Sequence, residues 1–301
     1  MTISQVGFVG LGNMGAPMAA HLAGAGFTLT VSDTAPGVVE RFTAAHPGSV
    51  AAASRQSFAT ADALILMLPT SEIVENVLEG DGVADALPPG CLVIDMSSSE
   101  PLRTRALAAR LQARGLPMLD APVSGGVRGA RTASLSVLAG GAEDDLTRAA
   151  PLLSAMAGTI IRVGGIGSGH AAKALNNLVS AATMSVTVEA LVIAEAFGIS
   201  ADTMTKVLNS SSGRSNTSEN KVAQFMTSGR FDSGFSLPLM AKDVGLAIGL
   251  ARALDRPAEV AGHVADQWRR IAGEVNPATD HTQIYTLLRA AQGGSGAGAT
   301  R

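Results

Sequence analysis

Val6-Gly7-Phe8-Val9-Gly10-Leu11-Gly12-Asn13-Met14-Gly15 decides how the chain is read. An apolar run ends in three glycines spaced G-x-G-x-x-G, and Ala16-Pro17-Met18-Ala19-Ala20-His21-Leu22 follows. That is strand, tight turn and helix. Gly10 permits the sharp turn, Gly12 lets the backbone approach a pyrophosphate, and Gly15 lets the helix pack closely on the strand. The new helix would aim its unpaired N–H groups and positive dipole end at the phosphates. Pro17 falls in the first turn, where its missing N–H costs nothing. A second strand, Phe27 to Ser32, runs into Asp33, 21 residues beyond Gly12. An acid at that distance hydrogen-bonds the ribose hydroxyls of a dinucleotide. The spacing therefore predicts a Rossmann fold at the N-terminus. A carboxylate there repels a 2′-phosphate, so NAD is the expected cofactor and NADP the alternative.

Working outward, helix and strand alternate. Ala63-Leu64-Ile65-Leu66-Met67-Leu68 is a continuous apolar run stopped by Pro69, which suits a buried parallel strand. Cys91 to Ile94 is another, leading into Asp95-Met96-Ser97-Ser98-Ser99. Ligands of doubly wound sheets bind outside the carboxyl ends of strands, which makes Leu68, Pro69 and Ser98 candidate cofactor contacts. One serine of Ser97–Ser99 is expected to cap the helix that begins near Pro101. Asp120-Ala121-Pro122-Val123-Ser124-Gly125-Gly126 reads as a strand entering a loop whose hydroxyl and glycine N–H groups can hold a carboxylate. A strand at 134–139, a helix at 143–155 and a strand at 159–163 close the first domain, 1–163.

Gly167-Ser168-Gly169-His170-Ala171-Ala172-Lys173-Ala174-Leu175-Asn176-Asn177 opens a proline-free apolar segment. A long helix over 168–197 follows, and Lys173 and Asn177, four apart, share one face of it. An ammonium and an amide among Ala, Leu, Val and Met need a reason. Beyond lie further helical segments, about 200–209, 216–227, 237–254, 258–273 and 280–291, without strand alternation. The second domain, 164–292, is therefore all-helical. A helix of that length, apolar on all sides, needs several neighbours, so it is expected to carry a subunit interface, in a homodimer or homotetramer. Lys242-Asp243 is a charged pair inside an otherwise apolar helix. Residues 293–301 read as a low-complexity tail.

Composition limits the classes. Hydrophobic residues make up 47% of the 301, charged residues 16%, aromatics 3%, and the net charge is −3. That supports packed cores and offers no basic footprint for nucleic acid. The single cysteine, Cys91, forms no internal disulfide and sits in a strand pattern, so it reads as core. The first residues form a strand pattern rather than a leader, and charged and amide residues interrupt the stretch 171–198. No membrane span and a cytoplasmic location are the expectations. The five histidines are scattered, without metal-ligand pairing.

Four blocks now stand in order: Gly7 to Gly15, Asp120 to Gly126, Gly167 to Asn177, and Lys242-Asp243. Together they resemble the β-hydroxyacid dehydrogenases, the family of 3-hydroxyisobutyrate dehydrogenase and tartronate semialdehyde reductase, over about residues 3–290. The resemblance implies hydride transfer between NAD(P) and a short 3-hydroxy acid, or reduction of its semialdehyde. By its implication, Lys173 is the catalytic acid–base, Ser124, Gly125 and Gly126 hold the substrate carboxylate, and Asn177 orients the substrate. Gly10, Leu11, Gly12, Asn13, Met14, Gly15, Leu68, Pro69, Ser98 and Lys242 contact the cofactor. One position departs from the pattern: after Gly213-Arg214-Ser215 the family often has an aromatic, and here stands Asn216. An imine reductase on the same scaffold is one alternative, although those resembling this chain usually lack the lysine. A non-catalytic dinucleotide-binding protein is the other.

Overall fold

The computed structural model describes residues 3–293. Apart from Gly293, the tail expected from the sequence lies outside them. By contacts the chain divides into two units, one ending at Lys173 and the other beginning at Ala174.

The first unit is built on a sheet of nine strands among the described residues. In chain order its elements are β1 (Gln5–Val9), α1 (Gly15–Gly24), β2 (Thr28–Ser32), α2 (Val38–Ala45), β3 (Val50–Ala51), β4 (Ala63–Leu66), α3 (Ser71–Glu75), α4 (Val83–Ala86), β5 (Leu92–Asp95) and α5 (Pro101–Gln112). They continue with β6 (Met118–Asp120), β7 (Val123–Ser124), α6 (Gly126–Arg131), β8 (Leu135–Gly140), α7 (Glu143–Met156) and β9 (Ala157–Gly164). Strands β3-β2-β1-β4-β5-β6 lie side by side and parallel. The order reverses between β1 and β4, the switch point where such sheets bind ligands. Strand β8 then joins antiparallel to β6 and β7, and β9 extends the sheet parallel to β8.

Alternation along the strands explains the two-sided packing. Phe8, Ile65 and Ile94 point into a core with Met18, Leu22 and Leu152. Val9, Leu64, Leu66 and Val93 point the other way, to Leu78, Leu107 and Leu111. Successive strand residues face opposite sides, so continuous apolar runs are what a sheet covered on both faces requires. Cys91 is buried in the second of these cores, and burial pushes its thiol up to about 12. It is a packing residue.

The sequence pattern places the end of this domain at residue 163. By contacts the first unit runs on through Lys173 because the segment after β9 lodges against the sheet: the Gly167 and His170 N–H groups both donate to the buried Asp120 carboxylate.

Helix α8 (Ser168–Phe197) leads into the second unit, with α9 (Ala201–Asn209), α10 (Asn216–Asn220), α11 (Leu237–Ala253), α12 (Glu259–Ala272) and α13 (Ile284–Gly293). Met184, Val188 and Leu191 of α8 pack with Val244 and Met240 of α11 and the fully buried Trp268 of α12. The Trp268 indole N–H donates to Ser185 Oγ at 3.0 Å, which satisfies its polar edge inside the core. Two expected helices are shorter than their apolar patterns. The stretch 216–227 is α10 followed by a π-helical turn, Val222–Met226, and 280–291 begins as a 3₁₀ turn, His281–Gln283, capped by Asp280.

At that cap His281 donates from Nδ1 to the Phe235 carbonyl at 2.9 Å. Its Nε2 accepts from the Lys221 ammonium at 2.8 Å. Burial and the facing Lys221 charge hold its pKa down to about 4, against the opposing pull of Asp280. This imidazole is a neutral bridge between three segments of the second unit.

One expectation is corrected. By length and composition α8 is apolar enough to cross a membrane, with a window of mean hydropathy 1.6. Its charged and amide residues do not break that window. Half of it is buried inside the protein, as in a core helix.

Candidate active site

The turn after β1 is held at both ends. The Gly10 N–H donates to the Ser32 carbonyl at 2.9 Å, and Gly10 has φ +98°. A Cβ at Gly10 would run into the Met67 carbonyl oxygen, and one at Gly15 into that of Gly10. Only glycine fits either position. At Gly12, by contrast, nothing lies within 4 Å of where a Cβ would stand. The middle glycine thus fronts open space, the room a phosphate needs.

A pocket of about 440 Å³ opens there, at the switch point. Gly10 and Gly12 form one rim, Asp33 and Thr34 the end of β2, and Leu68 and Pro69 the end of β4. Asp33 is fixed by backbone donors: Leu11 N–H to one carboxylate oxygen at 2.6 Å, Ala35 N–H to the other at 2.7 Å. Ala52, Phe58, Ile73, Val77 and Val83 supply an apolar wall, and Ser54 and Arg55 complete it. The sequence does not reveal that wall. Its residues sit on short elements whose apolar positions are too few to show a period. The one signal was Arg55 and Phe58 following a Ser54 that caps a single 3₁₀ turn.

Among the other expected cofactor contacts, the Leu11 side chain is buried in the core, so only its backbone faces the turn. Asn13 is exposed, Met14 and Ser98 half-buried. The capping expectation at Ser97–Ser99 is corrected. Glu100 occupies the cap position of α5 and makes no side-chain cap bond. Ser97 Oγ instead accepts the Leu68 N–H at 2.9 Å, and Ser99 Oγ donates to the buried Asp95 at 2.8 Å. A buried carboxylate needs donors more than an exposed helix end does, and it takes the serine.

The Ser124-Gly125-Gly126 segment is also tighter than the expected loop. Ser124 ends β7, paired with Ser136 of β8, and α6 begins at Gly126. Gly125 at φ +124° and Gly126 at φ +61° turn the chain within two residues. Ser124 is half-buried and Gly125 exposed.

Lys173 is half-buried, a little over one turn into α8. Asn177, one turn further, is buried, and its amide donates to Asp243 Oδ2 at 2.6 Å while its carbonyl accepts from Asn176 at 3.2 Å. Asp243 is itself buried, with the half-buried Lys242 ammonium 3.1 Å from its other oxygen. That oxygen has no hydrogen bond of good geometry, so the contact is electrostatic attraction between chain neighbours. The charged pair that looked anomalous on α11 thus fixes the amide expected to orient a substrate.

Known proteins resemble this chain over nearly its whole length. Residues 5–165 match the NAD binding domain of 6-phosphogluconate dehydrogenase. Residues 167–288 match the family described as NAD-binding of NADP-dependent 3-hydroxyisobutyrate dehydrogenase. A probable 3-hydroxyisobutyrate dehydrogenase of Mycobacterium tuberculosis is 37% identical, over 96% of this chain and 99% of its own. An NAD-dependent L-serine dehydrogenase of Pseudomonas aeruginosa is 35% identical, over 97% of this chain and all of its own. The solved structure of Mycobacterium tuberculosis 3-hydroxyisobutyrate dehydrogenase with L-serine superposes with a TM-score of 0.88 at 37% identity, covering 96% of this chain and all of that one. The chain belongs to the β-hydroxyacid dehydrogenases, and its reaction class is the NAD(P)-dependent interconversion of a hydroxy acid and its carbonyl form.

Proposed function

We propose that this enzyme oxidises a short 3-hydroxy acid with NAD, Lys173 acting as the acid–base. The observation that carries the reading is the pocket at the switch point, with open space before Gly12 and an anchored carboxylate at the end of β2. Gly10 to Gly15, Asp33, Leu68, Pro69 and Ser98 would hold the dinucleotide, a role the resemblance also gives Lys242, and the apolar wall suits its planar base. The bound cofactor supplies the hydride acceptor, or in reverse the donor.

The residues of the chain do the rest. Ser124 and the Gly125 and Gly126 N–H groups hold the substrate carboxylate. Asn177 orients the substrate beside the lysine. That positioning makes the reaction effectively unimolecular. Lys173 hydrogen-bonds the substrate hydroxyl, takes its proton on oxidation and returns one on reduction. Lys173 is also what argues against imine reduction.

Asn216, exposed at the start of α10, stands where the resemblance leads one to expect an aromatic. An amide there favours a polar substituent at C2 over a methyl. L-serine, which appears in the names of two similar proteins, has that chemistry. Assayed with NAD and NADP against short 3- and 4-hydroxy acids, their semialdehydes and a cyclic imine, the enzyme should favour L-serine or another C2-polar 3-hydroxy acid over 3-hydroxyisobutyrate. Turnover of the imine alone, or of nothing in the panel despite NAD binding, would exclude the reading.

The second unit offers a docking face for another copy of the chain. Leu175, Val179, Val186, Ile193 and Phe197 recur at intervals of four and seven along α8 and are exposed, Val179 at 62% and Phe197 at 84%. Those intervals align on one helix face, and an apolar stripe of that length is an association surface. Sedimentation should show at least a dimer at micromolar concentration, and Val186→Glu with Ile193→Glu should shift it toward monomer. A parent that sediments as a monomer would rule out the self-association.

A further inference from the structure

Beneath the start of α8 lies a buried polar cluster that the scattered histidines of the sequence do not reveal. His170 is 1% exposed. Its Nδ1 is 2.8 Å from Thr104 Oγ1 of α5 and 3.8 Å from Asp120 Oδ2. Its Nε2 has no hydrogen bond and faces Asp95 Oδ2 at 3.7 Å. Two buried carboxylates, each the last residue of neighbouring parallel strands β5 and β6, thus flank one imidazole.

Each carboxylate holds a different part of the site. Asp120 accepts the Gly167 N–H at 2.7 Å and the His170 N–H at 2.8 Å. First-turn N–H groups lack partners within a helix, and an anion suits that end of the dipole. Burial pushes the Asp120 carboxyl up, while the imidazole and these two N–H groups pull it back. Asp95 accepts the Ser97 N–H at 2.9 Å and the Ser99 hydroxyl at 2.8 Å. Ser97 Oγ in turn accepts the Leu68 N–H. The helix backbone also lies hard on the sheet. A Cβ at Gly169 would stand 2.7 Å from the Asp120 carbonyl oxygen and meet that of Leu138.

We propose that His170 is a positioning residue. Plugged between Asp95 and Asp120, it sets the rotation and axial height of the first turns of α8 against the strand ends bearing Leu68 and Ser97–Ser99. It thereby fixes where the Lys173 amine stands against the cofactor. The inference rests on the reading of Lys173 as the acid–base. Lys173 follows His170 by three residues on the same helix, so a tilt or slip at the plug carries the amine with it. A misplacement of about 1 Å can lower a rate about 10²-fold.

The test is a double-mutant cycle with Lys173. His170→Ala should lower kcat by about 10- to 100-fold, with the NAD Kd and substrate KM within about twofold of the parent. His170→Gln, whose amide still reaches a carboxylate, should recover most of the loss. On a Lys173→Ala background, His170→Ala should cost less than about threefold, because the residue it positions is gone. If His170→Ala fails to fold, Thr104→Val, which removes only the hydroxyl beside Nδ1, should lower kcat by roughly 3- to 10-fold in the same cycle. An unchanged kcat in the foldable variant, while Lys173→Ala is crippled, overturns the inference and leaves the acid–base reading standing. A loss that persists in full without Lys173 also overturns it. Parental turnover by Lys173→Ala itself removes the acid–base reading, and this inference with it.

Discussion

Lys173→Ala should lower kcat by about 10²- to 10⁴-fold, the range a positioned proton relay contributes. NAD binding should hardly change. The dinucleotide pocket belongs to strand ends and the glycine turn, and Lys173 is not among its lining residues. Lys173→Arg should be nearly as slow as alanine. A guanidinium keeps the charge but cannot give up its proton near neutral pH, so it can hold the substrate without serving as a base. The check is steady-state kinetics beside a fluorescence titration of NADH. Loss of binding together with turnover would mean that the lysine holds cofactor rather than moving a proton.

The second large effect is expected at Asp33. Both carboxylate oxygens are tied to backbone N–H groups, so the charge cannot swing away from an incoming 2′-phosphate. Two like charges about 5 Å apart at an effective dielectric near 20 repel by about 3 kcal/mol, which is roughly 10²-fold in preference. Asp33→Asn keeps the shape and an acceptor but removes the charge. The ratio of kcat/KM for NAD over NADP should fall by about that factor, helped by Arg55 in the same pocket wall. A parent enzyme that prefers NADP, or an Asp33→Asn variant with an unchanged ratio, would refute the assignment of Asp33 as the discriminating group.

What could be read without coordinates was what depends on neighbours in the chain. The glycine turn, the two-sided strands and the long helix are each local patterns of about 30 residues or fewer. Asp33 could be placed because one helix and one strand, each of regular rise, separate it from the turn. The cap expected at Ser97–Ser99 was misassigned because the Ser99 hydroxyl goes to the Asp95 carboxylate and Ser97 Oγ to the Leu68 N–H, and nothing in a run of serines reveals which hydroxyl a buried acid will take. The antiparallel entry of β8 was also unreadable, since period-two alternation is the same for either strand direction. The apolar wall from Ala52 to Val83 was missed because its residues come from separate short elements.

From its order of residues alone, this chain determined a dinucleotide-binding sheet, a lysine and an amide on one face of a long helix, and a family. Those follow from backbone sterics and helical or strand periodicity, which act over a few residues. Only the folded sheet decided that Asp95, Asp120 and His170, up to 75 positions apart, share one buried site beneath that helix. Their meeting depends on which strands lie side by side, and no local preference encodes that.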